Sequence, residues 1–280
     1  MLNNIFDAHA HYDDKWFDVD RDDLLSSMPG NGVCGIVNAS VDLTTARTAI
    51  AYAEKYDFMY VCAGIHPENL EGLQDDYLEQ LAELYKHPKV LAIGEIGLDY
   101  HWDIPRDVQN RVFEEQLQLA KDLDAPVVIH DREAHGDVME LLRKYRPKGL
   151  MHCYSGSVEM LKEVMKLGMY ISLGGTVTFK NARVPVEVAA AVPLDRLLLE
   201  TDAPYLSPVP FRGKRNDSTR IAHTALRIAG IRRMDAQELI DITTENAKRM
   251  YGIKNKKPCD TGLDKSIEYA YNISEQGAIR

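Results

Sequence analysis

The residues in this sequence best suited to chemistry are His9, His11, Glu95, His130, His152 and Asp202. His9 and His11 stand two apart in the run Asp7-Ala8-His9-Ala10-His11. Alternate side chains of an extended segment project to the same side, so one cation can take both. Glu95 interrupts the apolar run VLAIGEIGLDY. Burying an unpaired carboxylate is costly; a cation removes that cost, and two oxygens let one carboxylate bridge two cations. A buried salt bridge to an arginine is the competing reading. His130 ends VVIH and His152 interrupts LMHCY, and together they complete a second cation site with Glu95. Asp202, closing LLLETD, is assigned to the first cation and to accepting a proton from an attacking water. Four imidazoles and two carboxylates suit two divalent ions such as Zn2+, Mg2+ or Mn2+. Adjacent cations generate a nucleophile from water near neutral pH, which is the chemistry of hydrolysis.

Other motifs are weaker. No glycine-rich loop with a following Lys-Ser/Thr is present, and GEIG is not a dinucleotide fingerprint. Ser155-Gly156-Ser157 lacks the G-x-S-x-G elbow of a serine nucleophile; Ser157 reads as a helix cap and Ser155 as a loop hydroxyl facing substrate. Arg132, two residues past His130, offers a guanidinium shaped for bidentate phosphate contacts. Arg212, Lys214, Arg215 and Asn216 form a second phosphate candidate, with a solvated surface loop as the alternative.

These residues must be held by something, and the chain between them alternates regularly. Apolar runs at Asn4–His9, Gly32–Ser40, Met59–His66, Val90–Gly97, Pro126–His130, Gly149–Tyr154, Met169–Gly174 and Arg196–Asp202 read as eight strands. Runs apolar on successive positions suit parallel strands buried on both faces. Helical spacing falls between them, at Thr44–Tyr56, Tyr77–Lys86, Asp107–Leu123, His135–Tyr145 and Val158–Leu167, and then at Thr219–Ala229 and Asp235–Met250. The expectation is a single (β/α)8 TIM barrel over residues 1–253, with an open doubly wound sheet as runner-up. Residues 254–280 read as a C-terminal tail with one short helix over Asp264–Asn272. In a barrel the C-terminal strand ends converge on one face, where all six candidate ligands then lie.

At 280 residues the chain can bury a full core, and 45% hydrophobic with 27% charged residues leaves no compositional case for disorder. A net charge of −10 disfavours a protein that coats nucleic acid through a broad basic surface, so phosphate recognition must be local. Cys34, Cys62 and Cys153 fall in apolar runs and, with Cys259, form no C-x-x-C pair, which predicts buried reduced thiols rather than a zinc cluster. With no leader pattern and no apolar run of about 20 residues, a cytoplasmic protein without membrane contact is expected.

The motifs DAHAH (7–11), GIHPE (64–68), GEIGLDY (94–100), IHDRE (129–133), HCYSGS (152–157), LLLETDAPYLSP (197–208), RGKRN (212–216) and TENAKRMYG (244–252) occur in the order of the TatD family of metal-dependent hydrolases, which the chain resembles up to Gly252. The resemblance implies a β/α barrel with a binuclear site and deoxyribonuclease activity, often 3′-to-5′ exonucleolytic. It assigns His9, His11 and Asp202 to one metal, His130 and His152 to the other, and Glu95 to the bridge, with His66 and Asp99 as substrate contacts. Asp217-Ser218-Thr219 departs from the Glu-Pro of many relatives, and the tail is longer than usual. The leading expectation is a phosphodiesterase on DNA strand ends or single strands. The alternatives are an amidohydrolase-like enzyme cleaving an amide, ester or lactone on the same metals, and a non-catalytic scaffold, which six intact ligands disfavour.

Overall fold

The computed structural model describes residues 2–253. The apolar runs form strands β1 (Ile5–Ala10), β2 (Val33–Ala39), β3 (Met59–Ala63), β4 (Val90–Asp99), β5 (Val127–Arg132), β6 (Gly149–Met151), β7 (Tyr170–Leu173) and β8 (Leu197–Leu199). They lie side by side in sequence order, every pair parallel. Beyond β8 the chain returns to β1: Ala203 bridges Ala10, Asp202 N–H donates to His9 O at 3.0 Å, and His11 N–H donates to Ala203 O at 2.7 Å. Closure and sequential order make this a (β/α)8 barrel and set the open sheet aside.

Helices α1 (Arg21–Ser27), α2 (Leu43–Lys55), α3 (Tyr77–Tyr85), α4 (Arg106–Asp122), α5 (His135–Tyr145), α6 (Val158–Lys166), α7 (Arg183–Ala191), α8 (Ile221–Arg232) and α9 (Ala236–Met250) connect or follow the strands. The cap expected at Ser157 is present, accepting from Met160 N–H, and Asp235 caps α9 by accepting from Gln237 and Glu238 N–H. Helices α1 and α7 were not among the expected elements; α1 is short, and α7 begins RVPVEV, where a proline and an alternating apolar pattern mask the helical period. The short helix expected over Asp264–Asn272 and Cys259 lie outside the described residues.

Inside the barrel, Phe6, Ala8, Val37, Ala39, Cys62, Ala92, Val128, Leu150, Tyr170 and Leu198 supply one or two side chains from each strand. Met250 and Tyr251, at the end of α9, join this interior cluster, and Tyr251 OH donates to Ala8 O at 2.8 Å. A larger apolar layer fills the space between strands and helices. Of the thiols expected to be buried, Cys62 is buried and Cys153 is partly so. Cys34, the second residue of β2, is exposed.

Two polar residues of α4 set up the mouth of the barrel. Gln116 accepts Ile65 N–H at 2.8 Å and donates to Ile65 O at 3.0 Å, and Gln109 does the same for Asp99 at 2.8 and 2.9 Å. Both glutamines are buried and stand two helical turns apart on one face, so a single helix fixes the segments that carry His66 and Asp99. Gly97 lets β4 lie close to β5: its φ is +151°, and a Cβ there would meet His130 O at 2.0 Å.

Candidate metal centre

All six expected ligands gather at one end of the barrel. His9 lies in β1 and His11 just past it, Glu95 is in β4, His130 in β5, and His152 and Asp202 follow β6 and β8. His9 and Glu95 are fully enclosed, at 0% and 2% exposure. The chain turns sharply where two ligands leave their strands. Cys153 has φ +42° and Asp202 φ +57°, so the backbone turns inside the runs that were expected to be strand.

Around Glu95 the ligand atoms form two groups. On one side, His9 Nε2 lies 3.2 Å from His11 Nε2, 3.2 Å from Glu95 Oε2 and 3.8 Å from Asp202 Oδ1. His11 Nε2 is 3.6 Å from Glu95 Oε2 and 3.4 Å from Asp202 Oδ1. Four ligands at 2.0–2.1 Å from a tetrahedral cation stand about 3.3–3.4 Å from one another. The atoms are thus spaced like the edges of such a coordination shell. On the other side, Glu95 Oε1 is 2.7 Å from both His130 Nδ1 and His152 Nε2, which are 3.3 Å apart. The two oxygens of one carboxylate therefore face two different pairs of imidazoles. The donor set and its spacing fit divalent cations.

His66 Nε2 approaches Glu95 Oε1 at 3.5 Å, and His66, Glu95 and His130 also lie close enough to hold an ion. The tautomer argues for another role. Glu68 N–H donates to His66 Nδ1 at 3.2 Å, so in the neutral ring the proton sits on Nε2, which faces the centre as a donor rather than a lone pair.

A surrounding layer orients the candidate ligands. His11 Nδ1 is 3.0 Å from Ala39 O, and His130 Nε2 is 2.9 Å from Asp99 Oδ2. Asp99, fully buried, is thus placed on a ligand. Two further carboxylates escaped the sequence reading. Glu200, completely buried, lies 3.7 Å from His152 Nδ1, accepts Cys153 N–H at 2.7 Å and takes the Ser172 hydroxyl on its other oxygen. Asp7, also buried, joins β1 to the segment after β8 by accepting Thr201 N–H at 3.0 Å, Thr201 Oγ1 at 2.6 Å and Ser218 Oγ at 2.7 Å. Ser218 belongs to the segment that departs from the usual Glu-Pro, and Tyr12 OH completes its contacts. The signal for both acids was spacing: each stands two residues before a ligand, in D-A-H and E-T-D.

The candidate phosphate contacts divide. Arg132 is exposed at the end of β5, with NH1 3.9 Å from Asp99 Oδ2. Ser155 is exposed and donates to Asp131 O at 3.4 Å. Arg212 is exposed over the Phe179 ring, and Lys214 is exposed. Arg215 is engaged elsewhere: NH1 and NH2 each meet Asp20 at 2.7 Å, and NH1 also donates to Trp16 O. Asn216 is buried, its amide donating to Thr201 O and Tyr205 O. Arg215 and Asn216 thus hold loops together, a use that residue type alone could not reveal.

The centre is strongly polarised. Burial opposes ionisation of Glu95, but the charges of His152, His9 and His66 and the His130 hydrogen bond hold its carboxyl well below the usual range. Burial likewise disfavours charge on His11 and His130, yet Asp202 and Glu95 hold His11 up to about 9, and Asp99 and Glu95 hold His130 up to about 9. Ligands bind metal without these protons, so cation loading at pH 7 should release protons and strengthen as pH rises towards 9. In the metal-free chain the sign is opposite. The raised histidines stabilise the fold fully below about pH 6.5 and lose that contribution as pH rises through about 9. Calorimetric titration of metal in buffers of different ionisation enthalpy measures the release, and none at pH 7 would place the bound metal elsewhere.

Residues 6–252 match the family described as TatD related DNase. The chain is 44% identical over 253 residues to an uncharacterized metal-dependent hydrolase, YabD, of Bacillus subtilis, covering 89% of this chain and 99% of that one. It is 32% identical over 259 residues to the 3′-5′ ssDNA/RNA exonuclease TatD of Citrobacter koseri, covering 89% and 99%. Among solved structures, the TatD homologue YjjV of Escherichia coli superposes with a TM-score of 0.85 at 33% identity, covering 91% of this chain and all of that one.

Proposed function

Because the chain belongs to the TatD-related DNase family and is a divalent-metal-dependent hydrolase, we propose that it cleaves phosphodiester bonds at DNA strand ends or in single strands, 3′ to 5′, using two cations. The observation that carries this reading is the division of the Glu95 oxygens between two sets of imidazoles. His9, His11 and Asp202 would hold one ion, His130 and His152 the other, and Glu95 both. Zn2+, Mg2+ and Mn2+ all suit these ligands. When bound, such ions supply Lewis acidity at the phosphoryl oxygens and lower the pKa of water.

The chain's own residues do the rest. Asp202 accepts a proton from the attacking water, its carboxyl held low, despite burial, by the His11 hydrogen bond and the charges of His11, His152 and His9. His66 Nε2–H is a donor for a phosphoryl oxygen, Arg132 pairs with a non-bridging phosphate oxygen, and the Ser155 hydroxyl stands at the same mouth. Arg212 and Lys214 add positive charge after β8 that a strand end can meet. So local a set of contacts is compatible with a net charge of −10. The Citrobacter relative's name, which specifies single-stranded DNA and RNA, supports an unpaired strand as substrate.

A cytoplasmic setting belongs to this proposal; free thiols at Cys34, Cys62 and Cys153 accord with a reducing compartment. Among the described residues no helix is long and apolar enough to cross a membrane. We also take residues 1–253 as the catalytic domain, with 254–280 as an appended tail.

The test is digestion of single- and double-stranded DNA labelled at the 5′ end by metal-loaded protein. Exonuclease action should shorten single strands one nucleotide at a time from the 3′ terminus, and chelation should stop it. Internal fragments would replace the end-directed reading with an endonuclease. Hydrolysis of amides, esters or lactones with no effect on DNA would transfer the centre to small molecules.

A further inference from the structure

Two aromatic rings stand exposed beside the metal centre, and neither belongs to the ligand set or to the core. Trp16, in the single helical turn Lys15–Phe17 after β1, is 50% exposed, and Tyr205, after β8, is 46% exposed. Their centroids are 6.2 Å apart at an interplanar angle of 50°. Tyr205 in turn lies 6.4 Å from the ring of His11. The pair therefore continues outward from a metal ligand. Building on the nuclease reading, we propose that Trp16 and Tyr205 form a stacking shelf for an unpaired nucleobase next to the scissile phosphate.

The shelf is rigid. Tyr205 OH donates to Asp14 Oδ2 at 2.6 Å, and Arg215 clamps Asp20 while donating to the Trp16 carbonyl at 2.8 Å. Arg21 donates to the carbonyls of Tyr12, Asp13 and Asp14. These contacts fix the Tyr205 ring and the backbone that carries Trp16, and both rings remain in water, where they gain nothing from exposure. A preorganised aromatic surface is what base stacking uses, and it tolerates sequence because every base has a π face.

Charge gives the orientation. Asp14, which accepts from the Tyr205 hydroxyl at the edge of the shelf, repels a phosphate chain but leaves the neutral face of a base unopposed. Arg132 stands across the mouth on β5, so phosphate is drawn to that side while the base lies on the other. A base in a duplex has both faces covered by its neighbours, so the shelf favours a strand whose bases are free.

The experiment pairs a protein change with a substrate change. Single strands carrying one abasic residue at each of the last three positions are compared with the intact strand, for the wild type, W16A and W16F. The wild type should lose about 10- to 100-fold in kcat/KM when the stacked base is missing. W16A should lose a similar factor on the intact strand and little more on the abasic one, and W16F should recover most of it. In a W102F chain Trp16 is the sole tryptophan, and its fluorescence should fall on mixing with the strand before turnover.

If the wild type cleaves the intact strand but W16A and wild type suffer equally from the abasic residue, the shelf is overturned and the nuclease reading stands. If the wild type cleaves no strand at all, the parent reading fails. Self-association that disappears in W16A would give these rings to a second copy of the chain and also overturn the proposal.

Discussion

A Glu95→Ala protein should purify with almost no metal at the centre and turn over at least roughly a thousandfold more slowly than the wild type. The reason is its position between two groups of imidazoles, within 2.7 Å of His130 and His152 and 3.2 Å of His9. Removing it takes the shared anion from both halves. His9 and His11 would keep Asp202, whereas His130 Nδ1 and His152 Nε2 would lose the carboxylate oxygen they share, and Asp99 and Glu200 stand on the opposite nitrogens of those rings. It also removes the buried counter-charge that these imidazoles share, leaving Asp202, Asp99 and Glu200 to balance them, and deleting one partner of a buried pair costs up to about 3–5 kcal/mol. Glu95→Gln keeps the volume and separates these effects. It should hold the fold better than alanine while still losing metal, because an amide neither bridges as an anion nor balances the imidazoles. Metal content by elemental analysis after dialysis, thermal melting and turnover make the comparison. Retention of two ions per chain in Glu95→Ala would end the bridging assignment.

How much of this centre could be read without coordinates follows from what each residue does. Strand-end residues were legible because alternation, apolar lead-in and a misplaced polar group are local signals. His130 at the end of VVIH and Asp202 at the end of LLLETD needed only the barrel to bring them together. The orienting residues were less visible. Glu200 differs from Asp202 only by standing two residues earlier, and what it touches comes from β7 and from the segment after β6. Arg215 looked like a phosphate contact because arginine in a glycine-containing basic loop usually faces solvent, and only the tertiary fold brings Asp20 opposite it. Trp16 gave no signal, because its position beside Tyr205 depends on how two loops, separated by most of the chain, close the barrel seam. The barrel itself came from periodicity, while the lengths of β6 and β8 did not: the ladders end at Met151 and Leu199, inside runs that remain apolar or motif-like.

Asp202 allows a sharper experiment than Glu95, because substitution can remove its charge and spare its backbone. Its φ of +57° lies in the left-handed region, which asparagine adopts more readily than alanine does. Asp202→Asn therefore keeps the turn after β8, along with the hydrogen bond from Asp202 N–H to His9 O that closes the barrel. What it loses is the negative charge 3.4 Å from His11 Nε2 and 3.8 Å from His9 Nε2. The half formed by His9 and His11 should then bind its ion weakly, while the half formed by His130, His152 and Glu95 keeps all its ligands. Metal content should fall towards one ion per chain, in contrast to the near-complete loss in Glu95→Ala. Turnover should drop about a thousandfold, and the cause can be divided by adding metal. If saturating metal restores two ions and full turnover, Asp202 is a ligand and nothing more. If it restores the ions but leaves turnover low, the missing function is proton acceptance from water, which an amide cannot perform. A variant that keeps both ions and full turnover at ordinary metal concentrations would remove Asp202 from the centre altogether.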